Sequence, residues 1–198
     1  VGFLVIAFVG FPHLFPWAHT ESMKGFIWIR KKKYLNFTFF VIRNLAAIAL
    51  WFFFRAKLVG NSVAQDQDGN FVHTRRNRIV APIFLVVFAL SFTMASFDQL
   101  MSLDPLWFST MFGVYAFAGL YAASLAMMTI FTIALRRNGM LKGIVSENHL
   151  HDCGKFMFAF TIFWAYIAFA QFMLIWYANL PEETRYFTHR MSGNWIYV

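Results

Sequence analysis

The apolar positions of this chain gather into long, unbroken runs. Residues 79–97, 106–135 and 156–181 contain no charged side chain, and residues 37–54 contain one, Arg43. Crossing a hydrocarbon core of about 30 Å takes roughly 20 apolar residues of helix. Lipid offers no partner to backbone N–H and C=O groups, so each run is predicted to be a helix that satisfies its own. The fold expected is all-α, a polytopic transmembrane helix bundle. Five spans read from the pattern, over residues 1–15, 37–58, 79–99, 110–135 and 155–179. Asn194-Trp-Ile-Tyr-Val198 reads as the start of a sixth, and the chain reads as one helical domain of a larger subunit with spans missing at both ends.

The polar segments set the connections. Residues 16–36 carry Lys24 and the basic run Arg30-Lys-Lys-Lys33. Residues 59–78 form the longest polar stretch, and its Gln65-Asp-Gln-Asp-Gly-Asn70 is turn chemistry that predicts an exposed loop. In the joint over residues 100–109, Asp104-Pro105 suits an N-cap followed by proline in the first helical position. Residues 136–154 are expected as a loop, and the last span ends at Pro181-Glu-Glu183.

Alternation places the connections after spans one, three and five on one face, X, and those after spans two and four on the other, Y. Face X receives seven Lys and Arg and face Y nine, a small excess that favours Y as cytoplasmic. Within the fourth span, Ala116, Gly119, Ala123 and Ala126 recur three and four apart, which predicts a stripe for close helix approach. The opposite phase of Phe, Leu and Met suits lipid.

Composition agrees with a membrane class. The chain is 60% hydrophobic and only 13% charged, whereas soluble domains carry about 25% charged residues. A net charge of +8 would suit nucleic acid, but the basic residues lie between spans, so no nucleic-acid partner is expected. Cys153 is the sole cysteine, which excludes an intrachain disulfide, a thiolate cluster site and haem attachment through a Cys pair. Any iron or haem would therefore belong to a partner. No phosphate loop, nucleophile elbow or carboxylate pair at catalytic spacing is present, so no catalytic residue is expected.

Two polar groups stand out. Arg43 lies about two turns into its span from face X, and Asp98 ends its span on the same face. Their similar depth permits an ion pair, lowering the cost of each charge near lipid. Alternatively Arg43 snorkels to the interface and Asp98 ends a helix in water. The second group is His149, His151, Asp152 and Lys155 on face Y, able to collect protons near neutral pH or make a polar contact to quinone, or simply to cap a helix and contact another subunit. Asp152 near the start of the fifth span would suit the helix dipole. The two histidines are two apart, which does not align them on a helix, so no metal site is expected. Tyr115, Tyr166 and Gln171 lie within spans, as a polar file or as interhelical hydrogen bonds. Trp17, His19 and Tyr34 read as interfacial residues on face X.

Three strings carry a resemblance. The first is Trp17-Ala-His19 with Lys33-Tyr-Leu-Asn36 and Phe39-Phe-Val-Ile-Arg43. The second is Ser96-Phe-Asp-Gln-Leu-Met-Ser-Leu-Asp-Pro105 running into Trp107-Phe-Ser-Thr110 and Gly113. The third is His149-Leu-His-Asp-Cys-Gly-Lys155 with Phe163-Trp-Ala-Tyr-Ile-Ala168 and Ile175-Trp-Tyr-Ala-Asn-Leu-Pro-Glu-Glu183. Over nearly the whole chain they resemble the F membrane subunit of bacterial alternative complex III, also titled quinol:cytochrome c oxidoreductase quinone-binding subunit 2. That family is similar to the NrfD or polysulfide-reductase membrane anchors.

The resemblance implies a multi-pass subunit in the bacterial inner (cytoplasmic) membrane, with Y in the cytoplasm. Its complex oxidises menaquinol or ubiquinol and passes electrons through iron–sulfur clusters and haem c in partner subunits. The implied partners are an iron–sulfur subunit, a multihaem cytochrome c subunit, a sibling NrfD-like membrane subunit, a terminal oxidase and lipid. The subunit itself would hold no cofactor. The family's acidic motif maps onto Asp98 and Asp104, and its histidine motif onto His149, His151, Asp152 and Lys155.

The function expected is a structural, non-redox subunit of that complex offering a proton path, with Asp98, Asp104, Arg43, His149, His151, Asp152, Lys155, Tyr115 and Tyr166 as its candidate groups. One rival is a quinol-binding anchor in which Trp17 and His19 contact the headgroup. Another is an autonomous proton or ion transporter, which predicts broken helices at the membrane midplane, and the spans hold little Gly or Pro for that.

Overall fold

A computed structural model describes residues 10–18, 26–141 and 143–192. Seven α-helices make up the fold of the described residues, with no strand among them: α1 (Phe11–Leu14), α2 (Phe26–Lys31), α3 (Phe37–Asp68), α4 (Val72–Gln99), α5 (Phe112–Arg137), α6 (Glu147–Ala178) and α7 (Pro181–Arg190). Of these, α3, α4, α5 and α6 are long and apolar enough to cross a membrane. The chain is thus an all-α, multi-pass type of helical fold. The span expected over residues 1–15 lies outside the described residues except for its end, which forms α1. The start of a span at 194–198 lies outside them too. The chain divides into two compact units, Val1–Phe108 and Ser109–Val198.

In the first unit α3 and α4 form an antiparallel hairpin. Asn36 caps α3, its side-chain oxygen accepting from the N–H of Thr38 at 2.9 Å and of Phe39 at 3.5 Å. At the other end Gly69 closes the helix in the left-handed region, φ 65°, which a Cβ would strain. The exposed loop expected over residues 59–78 is instead mostly helix, and only residues 69–71 connect α3 to α4. Turn chemistry is confined to that tip. The Asp68 carboxylate accepts from the Asn70 N–H at 2.8 Å, and the Asn70 side chain from the Val72 N–H at 3.0 Å. The polar residues before and after it pair across the two helices. Asn61 donates to Asn77 at 2.8 Å, Asn77 to the Leu58 carbonyl at 3.1 Å, and Thr74 to Gln65 at 2.7 Å. Polarity there marks the polar end of a hairpin, not a break in the helices.

Further in, an aromatic row does the same work with apolar surface. Phe84, Phe88 and Phe92 recur every fourth residue on α4, with Phe54 5.2 Å from Phe84 and Trp51 5.5 Å from Phe88. The Trp51 indole N–H is satisfied by Ser91 at 2.9 Å.

The expected N-cap role of Asp104-Pro105 is not what forms. The segment is a short turn in which the Asp104 carboxylate accepts from the Leu106 N–H at 3.3 Å, and α5 begins at Phe112 without a side-chain cap.

In the second unit α5 pairs with α6. The stripe expected from Ala116, Gly119, Ala123 and Ala126 is displaced: Ala123 is exposed, while Ala118 and Leu125 are buried. Aromatic bulk from α6 selects the contact. Tyr115 stacks on Trp164 at 5.4 Å and Tyr121 meets Phe160 at 4.3 Å. Gly119 keeps its role, because a Cβ there would sit 3.3 Å from the Trp164 indole nitrogen. The sixth helix begins at Glu147 rather than at 155, so the histidine string is its first two turns. Asp152 consequently lies past the first turn, and Glu147 is the residue placed to meet the helix dipole.

Candidate functional site

Polar groups concentrate where α3 begins and α4 ends. The Arg43–Asp98 pair permitted by depth is formed, and it is bidentate. Arg43 Nε donates to Asp98 Oδ2 at 2.8 Å and Nη2 to Oδ1 at 2.7 Å. The third nitrogen, Nη1, donates to the Tyr34 carbonyl at 3.2 Å. The guanidinium lies 3.9 Å from the Tyr34 ring centre and 4.1 Å from that of Phe39, an arrangement in which ring faces attract the cation. Side-chain exposure is 9% for Arg43 and 1% for Asp98. A charge pair so far out of water is tolerable when further hydrogen bonds support it, and here each guanidinium nitrogen donates one.

The neighbouring residues extend the network by one step along each helix. Gln99 donates to Asn44, and the Asn44 amide donates to the Phe40 carbonyl at 2.9 Å. Ser102 closes the end of α4 by donating to the Asp98 carbonyl. Burial first, and the charge of Asp98 next, push the Tyr34 phenol up to about 12, while Arg43 pulls the other way. That phenol remains a neutral donor beside the carboxylate over the whole physiological range.

A second cation holds the following turn. Lys31 Nζ donates to the carbonyls of Pro105 at 3.0 Å and Trp107 at 2.7 Å. Burial pulls its amine below the ordinary lysine value, against the charge of Asp104, which raises it. Lys31 belongs to a basic run that reads as interfacial charge, and nothing in its spacing separates it from Lys32 and Lys33, which are exposed.

Beside this network stands an aromatic cluster of Phe11, Phe15, Trp17 and Phe40 with Leu35, all buried. Phe11 meets Trp17 edge-on at 4.9 Å. Among the described residues the buried Trp17 indole N–H finds no acceptor. His19 lies outside the described residues.

The other sequence candidates are not gathered into this site. At the start of α6, His149 Nδ1 bonds the Ser146 N–H at 3.0 Å and its hydroxyl at 2.9 Å, which caps the helix. Asp152 pairs with Lys155 at 2.7 Å on the same exposed turn, and Glu147 pairs with Arg136 at 2.7 Å. His151 is exposed. Helical backbone turns His149 and His151 to different sides, and no group of three or more possible metal ligands occurs among the described residues. Tyr115 and buried Gln171 line one cleft, but Tyr166 is 63% exposed and faces outward. These three residues do not form one file.

Chemically, the clamp holds charge. Arginine stays protonated in proteins, and both Asp98 oxygens are engaged by that fixed cation. Compared with family models and with curated proteins, the chain matches none.

Proposed function

We propose that this chain is a cofactor-free membrane subunit of a bacterial respiratory quinol:cytochrome c oxidoreductase, and that its own work is to brace the complex. The observation that carries the bracing role is the buried, bidentate Arg43–Asp98 clamp with Tyr34 and Phe39 on the guanidinium. The quinol-oxidising context rests on the sequence resemblance. Its catalysis, its iron–sulfur clusters and its haem c belong to partner subunits in this reading. Bracing is favoured over proton conduction because the buried acidic group is tied to a permanent cation, and the histidine cluster is committed to capping and exposed pairs.

The test is purification of the tagged full-length protein in mild detergent, with mass spectrometry of its partners and a reduced-minus-oxidised haem spectrum. An iron–sulfur subunit, a multihaem cytochrome c and a second membrane anchor are expected to co-purify. A lone chain without haem would overturn the reading.

One observation favours a second reading. The Trp17 indole N–H is a buried donor with no described acceptor, set among aromatic rings, and a quinol headgroup oxygen would satisfy it. A photoaffinity quinone that labels this cluster and is displaced by quinol would support a binding role; no labelling would remove it.

A further inference from the structure

The far end of the α3/α4 hairpin, opposite the clamp, carries charge of a different kind. An α-helix rises 1.5 Å per residue, so the apolar stretch from Phe37 to Phe54 covers about 27 Å, close to a hydrocarbon core. Arg55 and Lys57 follow at once on α3, and Arg78, Arg76 and Arg75 stand on the returning helix around the level of Asn61, one to two turns further from the clamp. The helices then continue past this collar as the polar extension ending at Gly69. The collar therefore sits at headgroup depth, with water-exposed protein beyond it.

Among the described residues no carboxylate forms an ion pair with Lys57 or Arg76. No acidic residue occurs between Arg43 and Asp66 on α3 or between Val72 and Phe97 on α4. Lys57 and Arg76 are both exposed, and they border a groove of about 360 Å³ between the helices. Its floor is apolar: Phe53, Phe54, Val80 and Ile83. Phe53 and Ile83 are more than half exposed. The Lys57 ammonium lies over the Phe53 ring, 5.7 Å from its centre, so the cation borders the apolar floor. Two cations from two helices thus overhang an apolar channel at the level where phosphates lie.

We propose that this groove is a binding site for an anionic phospholipid, with the phosphate between Lys57 and Arg76 and an acyl chain along Phe53, Phe54, Val80 and Ile83. Charge complementarity and depth select the occupant. A soluble anion would have no use for the apolar floor, and an acidic protein segment would not match a channel opening into the hydrocarbon.

The experiment uses the full chain in detergent micelles and native mass spectrometry of retained lipid, with phosphatidylglycerol against phosphatidylcholine of the same chains. Phosphatidylglycerol should be retained about 25-fold over phosphatidylcholine, and each cation removed should lower that preference about five-fold. K57Q/R76Q should therefore fall to the phosphatidylcholine level, while K32Q/K33Q, also exposed and basic, should match the unmodified chain. Ile83→Trp, which fills the floor and keeps both cations, should also release the lipid. Unchanged preference in K57Q/R76Q or in Ile83→Trp overturns the site. Displacement by inorganic phosphate, or by an acidic peptide, at the same concentration as the lipid would assign the collar to a free anion or a protein and overturn it equally.

Discussion

Two carboxylate–cation pairs in this molecule have the same contact distance and opposite meaning. Arg43–Asp98 and Lys155–Asp152 both close at 2.7 Å. In the first, side-chain exposure is 9% and 1%; in the second it is 62% and 58%. Coulomb attraction at one distance varies many-fold with the surrounding dielectric, and water also offers the exposed pair other partners. The buried pair has no such alternative, so removing one member strands the other. Distance describes contact, while burial and the count of satisfied groups decide what the contact is worth.

Breaking the buried pair has the largest expected effect. Asp98→Ala leaves the Arg43 guanidinium uncompensated and should cost about 3–5 kcal/mol, read as loss of folded, monodisperse protein in a detergent melt. Replacing both members, Arg43→Met with Asp98→Leu, should be milder than either single change, because no charge is then left alone.

A smaller loss is expected where hydrogen bonds join the hairpin within the basic collar. Asn77→Leu removes the bonds to Asn61 and to the Leu58 carbonyl and should cost about 1–2 kcal/mol. The same melt should show it as a modest downward shift.

Tyr34 sharpens the comparison through pH. Its phenol is raised from 10.0 to about 12, so the folded chain keeps a proton that the unfolded chain loses. The stability it contributes is full below pH 10 and is lost as pH rises through about 12. Lys31, with its amine lowered by burial, acts with the opposite sign in its own window, since the folded chain there holds fewer protons. Tyr34→Phe should therefore flatten the alkaline fall in stability relative to the unmodified chain, and ultraviolet titration should lose one late-ionising tyrosine.

The smallest effect closes the series. Asp152→Ala should leave the melting curve unchanged, since its partner is equally exposed.

The buried pair was legible because two opposite charges stood at matching depth in adjacent spans, where an unpaired charge is expensive. Its consequences were less so. Asn44 and Gln99 follow Arg43 and Asp98 directly, and the antiparallel register that joins both pairs appears only once the hairpin is closed. Lys31 was hidden in a basic run because its carbonyl acceptors, Pro105 and Trp107, lie more than seventy residues away. The stretch around Gln65–Asn70 misled because polarity and turn residues were taken together. Gln65, Asp66, Gln67 and Asp68 remain helical, with Asn61, Asn77 and Thr74 supplying interhelical polar contacts. The small-residue stripe was misplaced because the large rings of Trp164 and Phe160, on another helix, decide which face of α5 is covered.

The most direct measurement is a pair of double-mutant cycles in the full-length protein, Arg43→Met with Asp98→Leu against Lys155→Met with Asp152→Leu, read by thermal melting in one detergent. The account predicts a coupling energy of about 1–3 kcal/mol for the buried pair and none above error for the exposed pair. Equal coupling in the two cycles would contradict it.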